Sequence, residues 1–218
     1  MKIICFSQNY GRHNKAGNGA LLDKEVPVMY LKPDSALGRC NKPFFVPEEL
    51  GNIVCEASVV VRICRLGKSI PQRFANRYYD ALTVGVDFTA HDLLKKACSE
   101  GLPWDAAKAM DGSAVIGEWL PIEKVKGLMG EKASIEEESE EDGVHFLLER
   151  NGLTVQEGFT ADMLWNVDAL IAYCSQYITL KTGDLLFTGT PSEAVTVNVG
   201  DMLTGYLEGC KVMELRAR

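Results

Sequence analysis

A chain of 218 residues with 46% hydrophobic content can bury a sizeable core within a single domain. Its formal net charge of -7 argues against a nucleic-acid surface or an anionic membrane surface, because phosphates must be met by Lys and Arg. No apolar run approaches the roughly 20 residues that a bilayer-spanning helix requires.

The charge is uneven. Residues 131–142 hold seven acids against Lys132, so the rest of the chain is close to neutral and this acidic loop reads as a solvated flap. Seven cysteines (Cys5, Cys40, Cys55, Cys64, Cys98, Cys174 and Cys210) are dispersed without a CxxC pair, which fits reduced thiols better than a disulfide framework. The first residues, Met1 to Phe6, are too short an apolar run for a secretory leader, and a cytoplasmic location is expected.

In chain order, short β-branched segments bounded by Gly, Pro or Asn predict strands at 2–6, 26–31, 53–64, 82–88, 144–150, 153–157, 185–188, 194–199, 202–207 and 211–215. Asn151-Gly152 between two of them signals a hairpin turn, since both central positions of a type I′ turn need positive φ. Helical spacing predicts helices over 71–81, 90–100 and 162–176. The second ends at Gly101 and the third is capped by Asp162. The pattern is that of a β-rich α+β fold with a few short helices in one domain, 1–218. Residues 1–50 supply N-terminal strands and a lid-like loop.

Two acids sit where strands should be apolar. Alternation along 54–61 places Glu56 and Ser58 on one face and Cys55 and Ala57 on the other. Asp87 lies in the equally apolar run that includes Thr83-Val84-Gly85-Val86. A carboxylate in such a place must be paired or bound to a metal. The residues alone leave a divalent-cation site and ordinary salt bridges equally open.

These segments, with Gly85-Val86-Asp87-Phe88-Thr89-Ala90-His91-Asp92, Gly101-Leu102-Pro103-Trp104 followed by Lys108, and Thr188-Gly189-Thr190-Pro191, resemble the fumarylacetoacetate hydrolase family. The likeness is to its short acylpyruvase-like and 2-hydroxyhepta-2,4-diene-1,7-dioate isomerase-like members, and it runs the length of the chain. It implies a mixed β-roll of curved sheets, a homodimer, and a divalent-metal-dependent hydrolase or lyase. Such an enzyme would act on small acylpyruvate, 2-keto or β-keto acids by C–C cleavage, decarboxylation or isomerisation.

The resemblance also implies roles for individual residues. Glu56 and Asp87 match metal ligands for Mg²⁺ or Mn²⁺; the second Glu of the family's Glu-x-Glu pair is Ser58, which would orient a water on the ion. Lys108 matches the lysine that stabilises developing negative charge, and Gly189 and Thr190 match the turn that holds the substrate carboxylate. In the family's His-x-x-Glu dyad the Glu activates water. His13 is present, but the Glu position is Ala16, so His13 itself, or less plausibly Glu25, is left as the base. The family Arg that clamps an acidic group is His91, and a polar contact three residues on is Leu94. The competing reading is a family member with impaired catalysis that binds keto acids or serves a structural role.

Overall fold

The computed structural model describes residues 1–11, 26–40, 42–126 and 143–218. His13, Ala16, Glu25 and the acidic loop 131–142 lie outside the described residues.

Two sheets enclose the core. Strands β1 (Ile3–Ser7), β2 (Val28–Lys32), β3 (Leu37–Arg39), β4 (Ile53–Ile63), β5 (Tyr79–Ala90), β6 (Ala114–Ile116) and β10 (Leu185–Phe187) run in the order β2-β1-β10-β4-β5-β6-β3. Two short strands join this sheet off that path: β11 (Val195–Thr196) pairs with β4 and β7 (Leu120–Pro121) with β5. A second sheet has the order β13-β12-β8-β9, from β8 (His145–Arg150), β9 (Leu153–Phe159), β12 (Met202–Leu207) and β13 (Cys210–Arg216). The β1–β10 and β3–β6 pairs are parallel and the others antiparallel, so the first sheet is mixed. This is the expected strand-rich roll with few helices.

The alternation read from the sequence decides where chemistry can sit. Cys55, Ala57, Val59 and Val61 of β4, with Leu82, Val84, Val86 and Phe88 of β5, turn into the main core between the sheets. The opposite face carries a smaller cluster of Ile3, Cys5, Val60, Leu185 and Phe187. Glu56, Ser58 and Asp87 belong to that second face. Gly205 of β12 lets the sheets close, because a Cβ there would meet Val84 Cγ1 at 3.0 Å.

The hairpin prediction holds: Asn151 and Gly152 have φ of 55° and 80°. The helix over 90–100 is α1 (His91–Glu100), closed by Gly101 at φ 66°. Asp92 does not cap it but accepts the Asn52 N–H at 3.1 Å. The helix expected over 71–81 is a 3₁₀ segment, Gln72–Arg77, after which the chain enters β5 at Tyr79. Eleven consecutive partners on β4 extend that strand past its apolar stretch. The helix expected over 162–176 is α3 (Val167–Tyr177), capped by Asn166 rather than Asp162, which lies in a preceding 3₁₀ turn. The strand expected over 194–199 shortens to Val195–Thr196, the part that reaches β4. Among the described residues, no helix is long and apolar enough to cross a membrane.

Candidate active site

Glu56 and Asp87 are register partners at the middle of β4 and β5. Above them lies α2 (Asp105–Lys108), a single turn that follows Gly101-Leu102-Pro103-Trp104 and ends on Lys108. Lys108 Nζ donates to Glu56 Oε2 at 3.0 Å and to Asp87 Oδ2 at 3.2 Å. Tyr30 of β2 leans over the same ammonium, its ring centroid 4.9 Å from Nζ, and is edge-packed on Trp104. Its hydroxyl donates to Asp87 Oδ2.

The other side of Asp87 is held by Lys32, fully buried at the end of β2. Lys32 Nζ lies 2.5 Å from Asp87 Oδ1 and also reaches Phe88 O at 3.0 Å, Ser113 O at 3.1 Å and Ser113 Oγ at 2.9 Å. An ammonium has three protons for these four acceptors. Asp87 Oδ1 is therefore faced by the charge of Lys32 without a directed hydrogen bond.

The electrostatics follow from this packing. Burial pushes the Asp87 carboxyl upward, but Lys108, Lys32 and the hydroxyl of Tyr30 outweigh it and hold the group below its usual range. Burial would likewise strip Lys108 of its proton, yet Asp87 and Glu56 more than reverse this and raise its pKa. Lys108 is thus a permanent ammonium, an electrostatic group and not an amine nucleophile. Burial, then the charge of Asp87, drives the Tyr30 hydroxyl well above its ordinary value. Burial pushes the Cys55 thiol up to about 12 and Cys5 higher still, so neither supplies a thiolate.

The fourth wall is the turn Thr188-Gly189-Thr190-Pro191. Gly189 has φ 106° and passes so close to the N-terminal strand that a Cβ would meet Asn9 Cβ at 3.1 Å and Phe6 O at 3.2 Å. Its N–H donates to Ser58 Oγ at 3.0 Å, and Ser58 in turn donates to Val59 O. Asn9, fully buried, donates to Thr188 O and Trp165 O. Thr190 Oγ1 is buried and unpartnered among the described residues, and it faces the same pocket as Glu56, Asp87, Tyr30 and Gln8. Gln8 stands at φ 58° on the wall of this pocket, a locally strained backbone of the kind kept at working sites.

Glu56, Ser58, Asp87, Lys108, Gly189 and Thr190 are thus gathered at one place. His91 is not: it opens α1, half-buried, outside the walls of this pocket. Lys32, Tyr30 and Asn9 escaped sequence reasoning. The predicted strand 26–31 stopped one residue before Lys32, although Tyr30 and Lys32 share a face and could have been read as counter-groups for a misplaced acid.

The donor set does not fit a resident divalent cation. Two carboxylates are already matched by two ammonium groups. Asp87 is enclosed by Lys108 and Tyr30 on Oδ2 and by the Lys32 ammonium against Oδ1, and Ser58 Oγ is engaged with Gly189 and Val59. Among the described residues, no three His, Cys, Asp or Glu side chains converge as a metal cage.

Comparison with known proteins agrees with this architecture. The fumarylacetoacetate (FAA) hydrolase C-terminal family matches residues 2–218. The oxaloacetate tautomerase YcgM of Escherichia coli is 30% identical over 95% of this chain and 89% of its own length. The mitochondrial oxaloacetate tautomerase FAHD1 of Arabidopsis thaliana is 32% identical over 95% of this chain and 86% of its own. Among solved structures, a fumarylpyruvate hydrolase from Pseudomonas aeruginosa in complex with Mn²⁺ and pyruvate superposes with a TM-score of 0.83 at 26% identity, over 100% of this chain and 89% of that one. The chain therefore belongs to the fumarylacetoacetate hydrolase family, a family of hydrolases, isomerases and tautomerases.

Proposed function

We propose that the protein interconverts the keto and enol forms of a small 2-keto acid of the oxaloacetate type, with Lys108 and Glu56 at the reacting atoms. The observation that carries this reading is the Lys108 ammonium fixed between Glu56 and Asp87 in a pocket whose Thr190 hydroxyl has no partner among the described residues.

Tautomerisation needs two things: a carboxylate that can take a proton from carbon, and a cation where the enolate charge develops. Glu56 is the accessible acid, its side chain 23% exposed against 7% for Asp87. The 2-keto oxygen would lie against Lys108 and the substrate carboxylate against Thr190. Glu56 removes a proton from C3, the C–H electron pair forms the C2=C3 bond, and the carbonyl π pair moves to oxygen beside the ammonium. The same proton, returned from Glu56 to that oxygen, completes the enol, and the reverse order regenerates the ketone. Asp87 holds Lys108 in place and is itself held by Lys32 and Tyr30.

Isomerisation is favoured over hydrolysis on a specific ground. Hydrolysis needs an activated water, and the position that matches the family's water-activating Glu is Ala16. Proton transfer within one substrate needs no such group. This leaves His13 without a required part in the reaction, and His91 outside the reacting centre. A homodimer, implied by the family resemblance, and a cytoplasmic location, for which the dispersed cysteines without a CxxC pair are the support, remain part of the proposal.

The test is the decay of oxaloacetate enol absorbance, followed with the purified chain and with Glu56→Gln and Lys108→Met. Turnover lost in both variants supports the reading. Absence of turnover in the unaltered chain, with keto acid still bound, would favour the keto-acid-binding protein instead.

A further inference from the structure

We propose that, with Ser58 in place of a third carboxylate and with Lys108 and Lys32 matching the charges of Glu56 and Asp87, this pocket holds neither Mg²⁺ nor Mn²⁺, alone or with a keto acid. The identity of the bound anion rests on the function proposed above; the exclusion of the metal does not.

The first argument is charge. The pocket floor contains Glu56, Asp87, Lys108 and Lys32, two negative groups against two positive ones, all substantially withdrawn from water. A dication added to a neutral, low-dielectric site would leave it doubly positive, and a buried net charge is opposed by desolvation. Mg²⁺ also surrenders its own water reluctantly and asks for near-octahedral oxygen donors.

The second argument is lone pairs. Asp87 Oδ2 accepts from both Lys108 and Tyr30, and Oδ1 faces Lys32 at 2.5 Å. Any metal approaching Asp87 must displace one of three donors, two of them cations. Ser58 compensates poorly, because its oxygen is uncharged and keeps a single lone pair once it receives the Gly189 N–H and gives its proton to Val59 O. Among the described residues, Glu56 Oε1 has no hydrogen bond, and Asp87 Oδ1, which also lacks one, is covered by the Lys32 ammonium at 2.5 Å.

The third argument is what the pocket does lack. Neutral without ligand, it presents an ammonium and a buried Thr190 hydroxyl that has no partner among the described residues, the complement of a carboxylate or an enolate. An anion satisfies both directly. The Tyr30 ring over Lys108 supports the same cation by a cation–π contact at 4.9 Å.

The test is Mn²⁺ titration followed by electron paramagnetic resonance, on chain first dialysed against EDTA, with and without oxalate as a stable enolate analogue. Relative to a protein-free blank at the same oxalate concentration, the free Mn²⁺ signal is expected to be unchanged in both cases, while oxalate binding measured calorimetrically in EDTA is retained. Loss of one Mn²⁺ per chain from the free signal, with or without oxalate, overturns the proposal. The double substitution Ser58→Glu with Lys108→Met places three carboxylates against Lys32 and is expected to create a one-per-chain Mn²⁺ site; a folded double variant that binds none overturns the charge argument. Should Mn²⁺ stay free while enol turnover is absent, the metal exclusion stands and the tautomerase reading falls. Should Mn²⁺ bind while turnover persists in EDTA, the reverse holds.

Discussion

Lys32 and Lys108 grip Asp87 from opposite sides, Lys32 at 2.5 Å from Oδ1 and Lys108 at 3.2 Å from Oδ2. The two cations do different work. Lys32 is fully buried within the sheet and cannot meet a ligand, whereas Lys108 also reaches Glu56 and the pocket.

Replacing Lys108 by Met should therefore separate chemistry from folding. The enolate would lose its counter-charge, and removal of one preorganised donor of this kind lowers kcat by about 10²–10³. Asp87 keeps Lys32 and Tyr30, so circular dichroism should be unchanged. Glu56 and Asp87 would then face each other with one cation fewer, and a carboxyl titration displaced upward should appear in the pH profile of ligand binding.

Lys32→Met should do the opposite. It leaves a buried carboxylate short of its inward partner, a defect that costs about 3–5 kcal/mol. At roughly 2–4 °C per kcal/mol for a chain of this size, melting should fall by at least ~6 °C. The double variant Lys32→Met with Asp87→Asn removes the stranded charge and should regain part of that loss. Differential scanning calorimetry of the single and double variants checks this, and equal melting temperatures for Lys32→Met and the unaltered chain would exclude the ion pair as a structural element.

How much of this could be read from the sequence depends on the residue. Glu56 and Asp87 were visible because an acid in an apolar strand needs an explanation, and the period of two placed Glu56 beside Ser58 on the correct face. The choice between metal and salt bridge was not visible. It turned on Lys32, which lies one residue past the predicted strand 26–31, and on Tyr30, which reads as an ordinary strand aromatic. The helix expected over 71–81 failed for a related reason: its aromatic spacing was real, but pairing with β4 claimed the chain from Tyr79 onward. Asn9 acts through contacts across more than 150 residues, to Trp165 and Thr188, which no local pattern encodes.

The pH dependence has a definite sign on each side. The folded pKa of Asp87 lies below its ordinary 3.8, so its contribution to stability is fully present above 3.8 and is lost as pH falls further, through the lowered folded value. Lys108 is raised above its ordinary 10.5, so its contribution is present below pH 10.5 and is lost only at higher pH. Tyr30 stays neutral over the same interval. Turnover should show no alkaline limb from these groups between neutrality and pH 10.5. An alkaline loss near neutrality that vanishes in Lys108→Met would contradict the assignment of a permanent ammonium.

Ser58→Ala tests the turn rather than the charges. Ser58 Oγ is the acceptor for the Gly189 N–H, and no other acceptor for that buried donor is present among the described residues. Truncation leaves it unsatisfied, at a cost of about 1–3 kcal/mol, and frees the turn that presents Thr190. The turn remains anchored by Thr188, whose hydroxyl donates to Val59 O at 2.9 Å, and by Asn9 on Thr188 O. The expected result is a raised KM with kcat within a few-fold of the unaltered chain, because the reacting atoms at Lys108 and Glu56 are untouched. Thr190→Val should shift KM in the same direction without the loss of melting temperature. If Ser58→Ala instead abolished kcat and left KM alone, Ser58 would belong with the reacting groups and not with the frame that holds the substrate carboxylate.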